Sequence, residues 1–448
     1  MTRWHLLLAP AFLLAAVVIA CSSNSPTPST ATPASSAAPT PAGDPSLSRI
    51  GNYTGAAYTT KAPDFDPLPG AKADFGKLGK TVYQIEIPTS WNGDLVMWAH
   101  GYAGDSTVLS VDSPPQALRQ QFISQGYAWA ASSYSENGYD PGVGANDTLA
   151  LKQFFVNKYG TPAHTYLVGE SMGGNVITLS LEHFSNQYSG ALSMCGAVAG
   201  EEEIDYLTSW AMVAEYLSGV NVPLGQGAQA VTQALLNGMQ KSLGLPSSLT
   251  PAGQRFANVI QNLTGGPRPF FKEGFASTYL VDFGVIITDP NRTSLPGAGS
   301  TNVGVTYHID DGFGVSDAAL NAGVRRLPAD PTARDPIAHP DSAPTTGNIS
   351  VPLLTLHGTG DLFVPITLEQ SYLKKVQAAG KGDLLVQRAI RSAGHCQFSG
   401  QEETTAWTDL VNWVTNGTKP AGDDLSGSLA NIGLQFTTPL RAGDPGNK

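Results

Sequence analysis

The sequence predicts an α/β fold in which helices cover a mostly parallel sheet. Three observations carry that prediction. Short apolar runs alternate with longer helical patterns from residue 81 onward, turn formers are abundant (49 Gly and 32 Pro in 448 residues), and only 14% of residues are charged. Strands separated by crossover helices run parallel, whereas low charge with many turns disfavours coiled coils and long solvated helices.

Strand-like runs fall at 81–88, 95–99, 128–134, 165–169, 191–198, 352–357 and 384–390. Helical patterns lie between most of them, at 115–125, 146–159, 172–188, 367–379 and 401–416. Between residues 198 and 352 the alternation stops. That stretch has helical patterns of its own at 206–217, 228–243 and 253–263, followed by a Gly/Pro/Asp-rich part. It is expected to be a mainly helical lid inserted into the sheet domain.

The chain opens as an exported protein would. Residues 1–20 carry one early cation, Arg3, then an apolar run ending in small residues, shorter than the roughly 20 residues that span a bilayer. Val18-Ile19-Ala20-Cys21 resembles a bacterial lipobox, so Cys21 is the expected lipidation site and a lipid anchor the expected membrane contact. Residues 21–45 are nearly all Ser, Thr, Ala or Pro, which predicts a flexible tether. The expected organisation is then signal 1–20, tether 21–45, sheet domain 46–200, lid 201–348, sheet domain resumed at 349–418 and a tail at 419–448. Asn52, Asn146, Asn262, Asn291, Asn348 and Asn416 head Asn-x-Ser/Thr sequons, read as chance beside a lipobox. A net charge of −11 offers no electrostatic footprint for nucleic acid.

The chemistry sits at strand ends. Gly169-Glu170-Ser171-Met172-Gly173-Gly174 follows the apolar run Tyr166-Leu167-Val168 and precedes a helical pattern, the setting of a nucleophile elbow. Tiny residues at 169 and 173 allow the strained turn that lifts the Ser171 hydroxyl above the sheet, and the Met172 amide faces developing negative charge at a helix start.

On these residues the chain resembles the α/β-hydrolases, the superfamily of serine esterases, lipases and some peptidases, over roughly 81–416 with the lid interrupting. The family's order of serine, acid and histidine implies the rest. His357-Gly358-Thr359-Gly360-Asp361-Leu362-Phe363-Val364-Pro365 is similar to the family's H-G-x-x-D-x-x-V-P, so Asp361 is the expected acid, with Glu201 to Glu203 as the alternative. Ala393-Gly394-His395-Cys396 follows the last strand and places His395 as the expected base, ahead of His100, His164, His183, His308, His339 and His357. The loop Trp98-Ala99-His100-Gly101-Tyr102-Ala103-Gly104 resembles the family's H-G loop, so the second oxyanion amide is expected from Tyr102 or Ala103. If Cys21 carries lipid, Cys195 and Cys396 remain as an even pair in an oxidising compartment, and a disulfide between them is reminiscent of tannases and feruloyl esterases. In those proteins the residue before the serine is the cysteine; here it is Glu170.

The resemblance implies a serine hydrolase that cleaves carboxylic esters through an acyl-enzyme without a cofactor or metal. An amidase or peptidase with the same triad is the alternative, and a non-catalytic surface-binding lipoprotein a third reading. Asp310-Asp311-Gly312 lacks the ligand spacing of a calcium loop and reads as a surface turn, as does Gly265-Gly266-Pro267. Tyr206, Trp210, Tyr216, Phe270, Phe271, Phe275 and Tyr279 are expected mostly to pack the lid's own core.

Overall fold

The computed structural model describes residues 57–439, except 64, 105, 185, 222–236, 240, 247, 278–299 and 330–343. The expected signal, Cys21 and the tether lie outside the described residues, as does most of the helical pattern at 228–243. No described helix is long and apolar enough to cross a membrane.

Eight strands form one sheet: β1 (Ala71–Leu78), β2 (Thr81–Pro88), β3 (Leu95–Ala99), β4 (Ala128–Ser132), β5 (Thr165–Glu170), β6 (Gly190–Met194), β7 (Leu353–Gly358) and β8 (Leu385–Ile390). Their order across the sheet is β8-β7-β6-β5-β3-β4-β2-β1. β2 is antiparallel to both β1 and β4, and every other pairing is parallel. This is the α/β-hydrolase arrangement, and it puts the ends of β3, β5, β7 and β8 along one edge.

Strand alternation explains the two apolar layers. In β3 and β5, Leu95, Met97, Ala99 and Leu167 join one cluster, while Val96, Trp98, Tyr166 and Val168 join the other. The first layer takes up helices α2 (Pro141–Tyr159), α3 (Met172–His183), α4 (Glu202–Ser218), α5 (Pro251–Leu263) and, after the short α6 (Asp317–Gly323), α7 (Thr367–Ala378). The second layer is closed by α1 (Gln116–Ser124) and α8 (Gly400–Asn416). There Trp407 meets Phe122, Tyr127 and Tyr166 edge-on at centroid distances of 4.8, 5.1 and 5.0 Å. The described helices α4 and α5 of the insertion pack into the same cluster as the sheet.

Several elements differ from the sequence reading, each for a local reason. β6 ends at Met194 and not at 198, because Cys195 turns to φ 46° and Gly196 then packs against Gly174. α3 ends at His183 and not near 188: Phe184 leaves helical geometry while its amide still bonds the Ser180 carbonyl. α2 begins at Pro141, five residues before the pattern predicts, since the Asp140 carboxylate caps the Val143 amide and proline fits the first helical position. The sequence reading has no strand at β1, because this edge strand exposes Lys72, Phe75 and Lys77, buries only Leu78 and shows no apolar run.

Residues 419–439 are described as packed chain. Leu425 and Leu429 are buried with Ile366 and Ala389. The Asp423 amide donates to the Gln387 carbonyl (2.7 Å) and its carboxylate accepts from the Ala389 amide (2.9 Å), so this segment satisfies the outer backbone of the edge strand β8. Truncation after Pro420 is therefore expected to lower the thermal midpoint and to speed aggregation. Thermal denaturation with light scattering checks this; an unchanged midpoint and scattering profile would oppose it.

Candidate active site

β5 delivers Ser171 at the tip of a strand-to-helix turn. Its φ of 57° lies in the left-handed region, and a β-carbon on either Gly169 or Gly173 would collide with the Ala99 carbonyl oxygen. The Ser171 amide donates to the Met194 carbonyl (3.1 Å), and the Ser171 carbonyl accepts from the Gly174 and Ala197 amides (2.9 and 3.0 Å). Met172 opens α3, so its N–H has no partner within the helix.

Asp361 lies in the turn after β7 and is fully buried. One carboxylate oxygen accepts from the amides of Phe363 and Val364 (3.0 and 3.1 Å). The other accepts a hydrogen bond from His395 Nδ1–H at 2.7 Å. The imidazole Nε2 stands 2.9 Å from Ser171 Oγ, within reach to accept the hydroxyl proton. Phe363 meets the imidazole edge-on at 5.0 Å. The structure thus joins Ser171, His395 and Asp361 in one hydrogen-bonded chain. Of the alternative acids at the start of α4, Glu201 and Glu203 are buried and Glu202 pairs with Lys375, and the carboxylate on the imidazole is that of Asp361.

The other expected residues fall around this chain. A β-carbon at Gly101 would lie 3.0 Å from Ser171 Cβ and 3.5 Å from its Oγ, so the H-G loop adjoins the hydroxyl. Of the two residues that follow, Tyr102 packs on the first apolar layer and Ala103 is exposed. Cys195 and Cys396 form a disulfide with a Cα–Cα distance of 5.1 Å. It fastens the histidine loop to the end of β6, and its sulfurs and the His395 imidazole lie within 4.8 Å of one another. With both sulfurs in the disulfide, this trio leaves the imidazole alone to offer a metal.

The competing histidines are engaged elsewhere. His100 stacks on Tyr134 at 3.8 Å and bonds the Gly101 carbonyl (2.7 Å); burial pushes its pKa down. His357 bonds the Val364 carbonyl (2.7 Å) and faces Glu369 (3.3 Å), whose carboxylate raises the imidazole pKa against the cost of burial. His164 pairs with Asp94 and His308 with Asp317, while His339 lies outside the described residues. The Asp310 carboxylate accepts from the side-chain amides of Asn258 and Asn262 (2.7 and 3.0 Å), which ties its turn to α5.

Three groups have a place at this site that the sequence reading does not give them. Glu170, half-buried beside the nucleophile, has its pKa pushed up to about 8 by burial and then by the charge of Asp112. Tyr206 donates to the Leu362 carbonyl (2.6 Å) and Arg268 Nε to the Thr359 carbonyl (2.7 Å), so the insertion touches both flanks of Asp361. Among the insertion's aromatics, Trp210, Phe256, Phe271 and Phe275 pack on one another. Phe271 and Phe275 also line, with Phe313, a cavity of about 550 Å³ that no triad residue borders. Tyr279 lies outside the described residues.

Comparison with known proteins finds a family model described as "Tannase-like family of unknown function (DUF6351)" that matches residues 79–264. That span includes the elbow but neither Asp361 nor His395. An o-phthalyl amidase of Xanthobacter agilis is 23% identical over 405 residues, covering 77% of this chain and 88% of its own. Among solved structures, feruloyl esterase B of Aspergillus oryzae aligns with a TM-score of 0.46 at 15% identity, covering 78% of this chain and 81% of that one. An esterase of the same organism aligns with a TM-score of 0.46 at 13% identity, covering 79% and 81%.

Two predictions follow from the site's chemistry. The disulfide closes a sequence separation of 201 residues, for which the chain-entropy relation gives about 5 kcal/mol. Cys195→Ser with Cys396→Ser should lose up to that much unfolding free energy in denaturant titration. Glu170 has a folded pKa above its unfolded value, so the native state holds a proton that the unfolded state has released. Its contribution to stability therefore falls as pH rises from about 4.5 to about 8. Glu170→Gln should remove that decline, as read from unfolding free energies across this window.

Proposed function

Taking the chain as a distant tannase-like α/β-hydrolase, we propose that it is an exported serine hydrolase that cleaves carboxylic esters through an acyl-enzyme. The observation that carries the reading is the chain Ser171 Oγ to His395 Nε2 to Asp361, at 2.9 and 2.7 Å. Ser171 Oγ attacks the acyl carbon while His395 Nε2 takes its proton. The tetrahedral oxyanion forms beside the Met172 amide and a second amide from Tyr102 or Ala103. His395 then gives the proton to the leaving oxygen, the acyl group stays on Ser171, and a water activated by the same imidazole releases the acid. Asp361 fixes the Nδ1 tautomer and stabilises the imidazolium formed in each half-reaction. No metal or cofactor enters this scheme.

Export to the outer face of a membrane on a Cys21 lipid rests on the leader sequence. The disulfide agrees with it, since such bonds persist in oxidising compartments. A second reading, amide hydrolysis, is favoured by the amidase relative. The same geometry serves it, with His395 protonating a leaving amine.

The deciding experiment treats the purified protein with a fluorophosphonate and assays matched p-nitrophenyl esters and p-nitroanilides. Labelling of Ser171 and ester turnover are expected, and Ser171→Ala should lower kcat by about 10⁴-fold or more. Anilide turnover above that of the matched ester would promote the amidase reading. Absence of both labelling and turnover would remove the hydrolase reading.

A further inference from the structure

Arg268 is buried, yet it makes no ion pair with any carboxylate among the described residues. Its forked head instead bonds three neutral acceptors. Nε donates to the Thr359 carbonyl (2.7 Å), Nη1 to the Gly266 carbonyl (3.1 Å) and Nη2 to Thr264 Oγ1 (2.9 Å). The guanidinium also lies over the Phe271 ring at 5.1 Å. Burying a cation without a contacting anion is costly, and here burial lowers the pKa to about 10, which leaves the group charged at neutral pH. Tyr206 and the Asp361 carboxylate oppose that lowering.

The acid loop explains this placement. Its inner side is tied to the sheet, with the Thr359 amide donating to the Ile390 carbonyl and the Gly360 amide to the Ser392 carbonyl (both 2.8 Å). Its other side faces the insertion. There the insertion supplies the partners: Arg268 on Thr359, Tyr206 on Leu362, and the backbone at Gly274 packed against the Gly360 carbonyl. Arg268 is aimed by the turn at Gly265-Gly266-Pro267. Both glycines have positive φ (108° and 81°), and a β-carbon on Gly265 would press on Leu429 and Thr367.

We propose that Arg268 is a positioning residue of the acid loop, holding the Thr359 carbonyl so that the Asp361 carboxylate stays on His395 Nδ1. The inference rests on the triad reading above. It makes the insertion part of the catalytic geometry and not merely a cover for it.

The test compares wild type with Arg268→Gln and Arg268→Lys by two readouts. One is the low-field ¹H resonance of the His395 Nδ1 proton, which reports the bond to Asp361 without any turnover. The other is the split of kcat and KM on a p-nitrophenyl ester. Arg268→Gln is expected to lose or broaden the resonance and to lower kcat at least tenfold, with KM within threefold of wild type. Arg268→Lys keeps the charge but not the fork and should recover part of both. Tyr206→Phe removes the neighbouring clamp and should lower kcat by only about threefold. A folded Arg268→Gln protein with a wild-type resonance and kcat within twofold overturns the proposal. So does unfolding of Arg268→Lys, which would make Arg268 a general element of the core. If wild type hydrolyses neither esters nor amides, the functional reading fails, while the resonance still decides whether Arg268 holds Asp361 on the imidazole.

Discussion

The structure depends on a close approach between two turns, where the β5–α3 elbow presses on the Ala99 carbonyl at the end of β3. No β-carbon fits at Gly169 or Gly173, so only this glycine pair lets the strand end and the helix start lie against that carbonyl. The Ser171 backbone is strained there, at a cost on the order of 1–3 kcal/mol. Its amide and carbonyl are both bonded, to Met194 and to Gly174 and Ala197, which ties β6 to the elbow. Once β6 has served the elbow, it cannot continue as a strand. Cys195 turns at φ 46°, and Gly196 must be small because a side chain there would strike Ser193 and Gly174. The disulfide from that turn then carries the constraint to the histidine loop. The Ser171 turn and the His395 loop are thus joined by covalent structure as well as by the hydrogen bond between them.

The acid is fixed by a second, polar device. Beneath its loop, Glu369 is fully buried and accepts from Thr355 Oγ1 (2.8 Å), from Gln387 Nε2 and from His357 Nδ1. The other imidazole nitrogen of His357 holds the Val364 carbonyl, and the amide of Val364 in turn donates to Asp361. A buried carboxylate is tolerable when such partners satisfy it, and a satisfied network of this kind is stiff. His357 therefore has a structural task, three hydrogen bonds away from the His395 imidazole.

The parts legible in the sequence are those set by local spacing. Ser171, Asp361 and His395 each follow a strand within a few residues, inside turns whose glycines leave a pattern, so their order along the chain could be read directly. The Cys195–Cys396 pair was legible from resemblance and parity. Contacts between distant segments left no such mark. Arg268 and Tyr206 sit in stretches that read as a turn and an amphipathic helix, and nothing local says that they reach the loop around residue 361. Edge elements were missed for the opposite reason. β1 and the packed segment 419–439 protect the sheet's margins with few apolar residues, so their patterns are weak although β1 pairs with β2 along its length and Asp423 bonds the backbone of β8. Glu170 could be named as the departure from the tannase pattern, but its raised pKa depends on burial and on Asp112, which comes from another loop.

These contacts constrain how the insertion could behave. If it swung away as one body, α4 would release Tyr206 from Leu362 and the 264–268 turn would release Arg268 from Thr359. It would also part α4 and α5 from the apolar cluster they share with the sheet, at roughly 1.5–3 kcal/mol for each large apolar side chain so exposed. An opening of that size costs more than a substrate's differential binding usually supplies. Opening would also free the side of the Asp361 loop that the insertion holds while its carboxylate bonds His395. The portion of the insertion formed by α4, α5 and the 264–277 segment is therefore better understood as the outer wall of the acid loop. On the hydrolase proposal, selectivity for the acyl or leaving group is then to be sought in the side chains near Ser171, Glu170 and Tyr102 among them, before it is sought in movement of these helices.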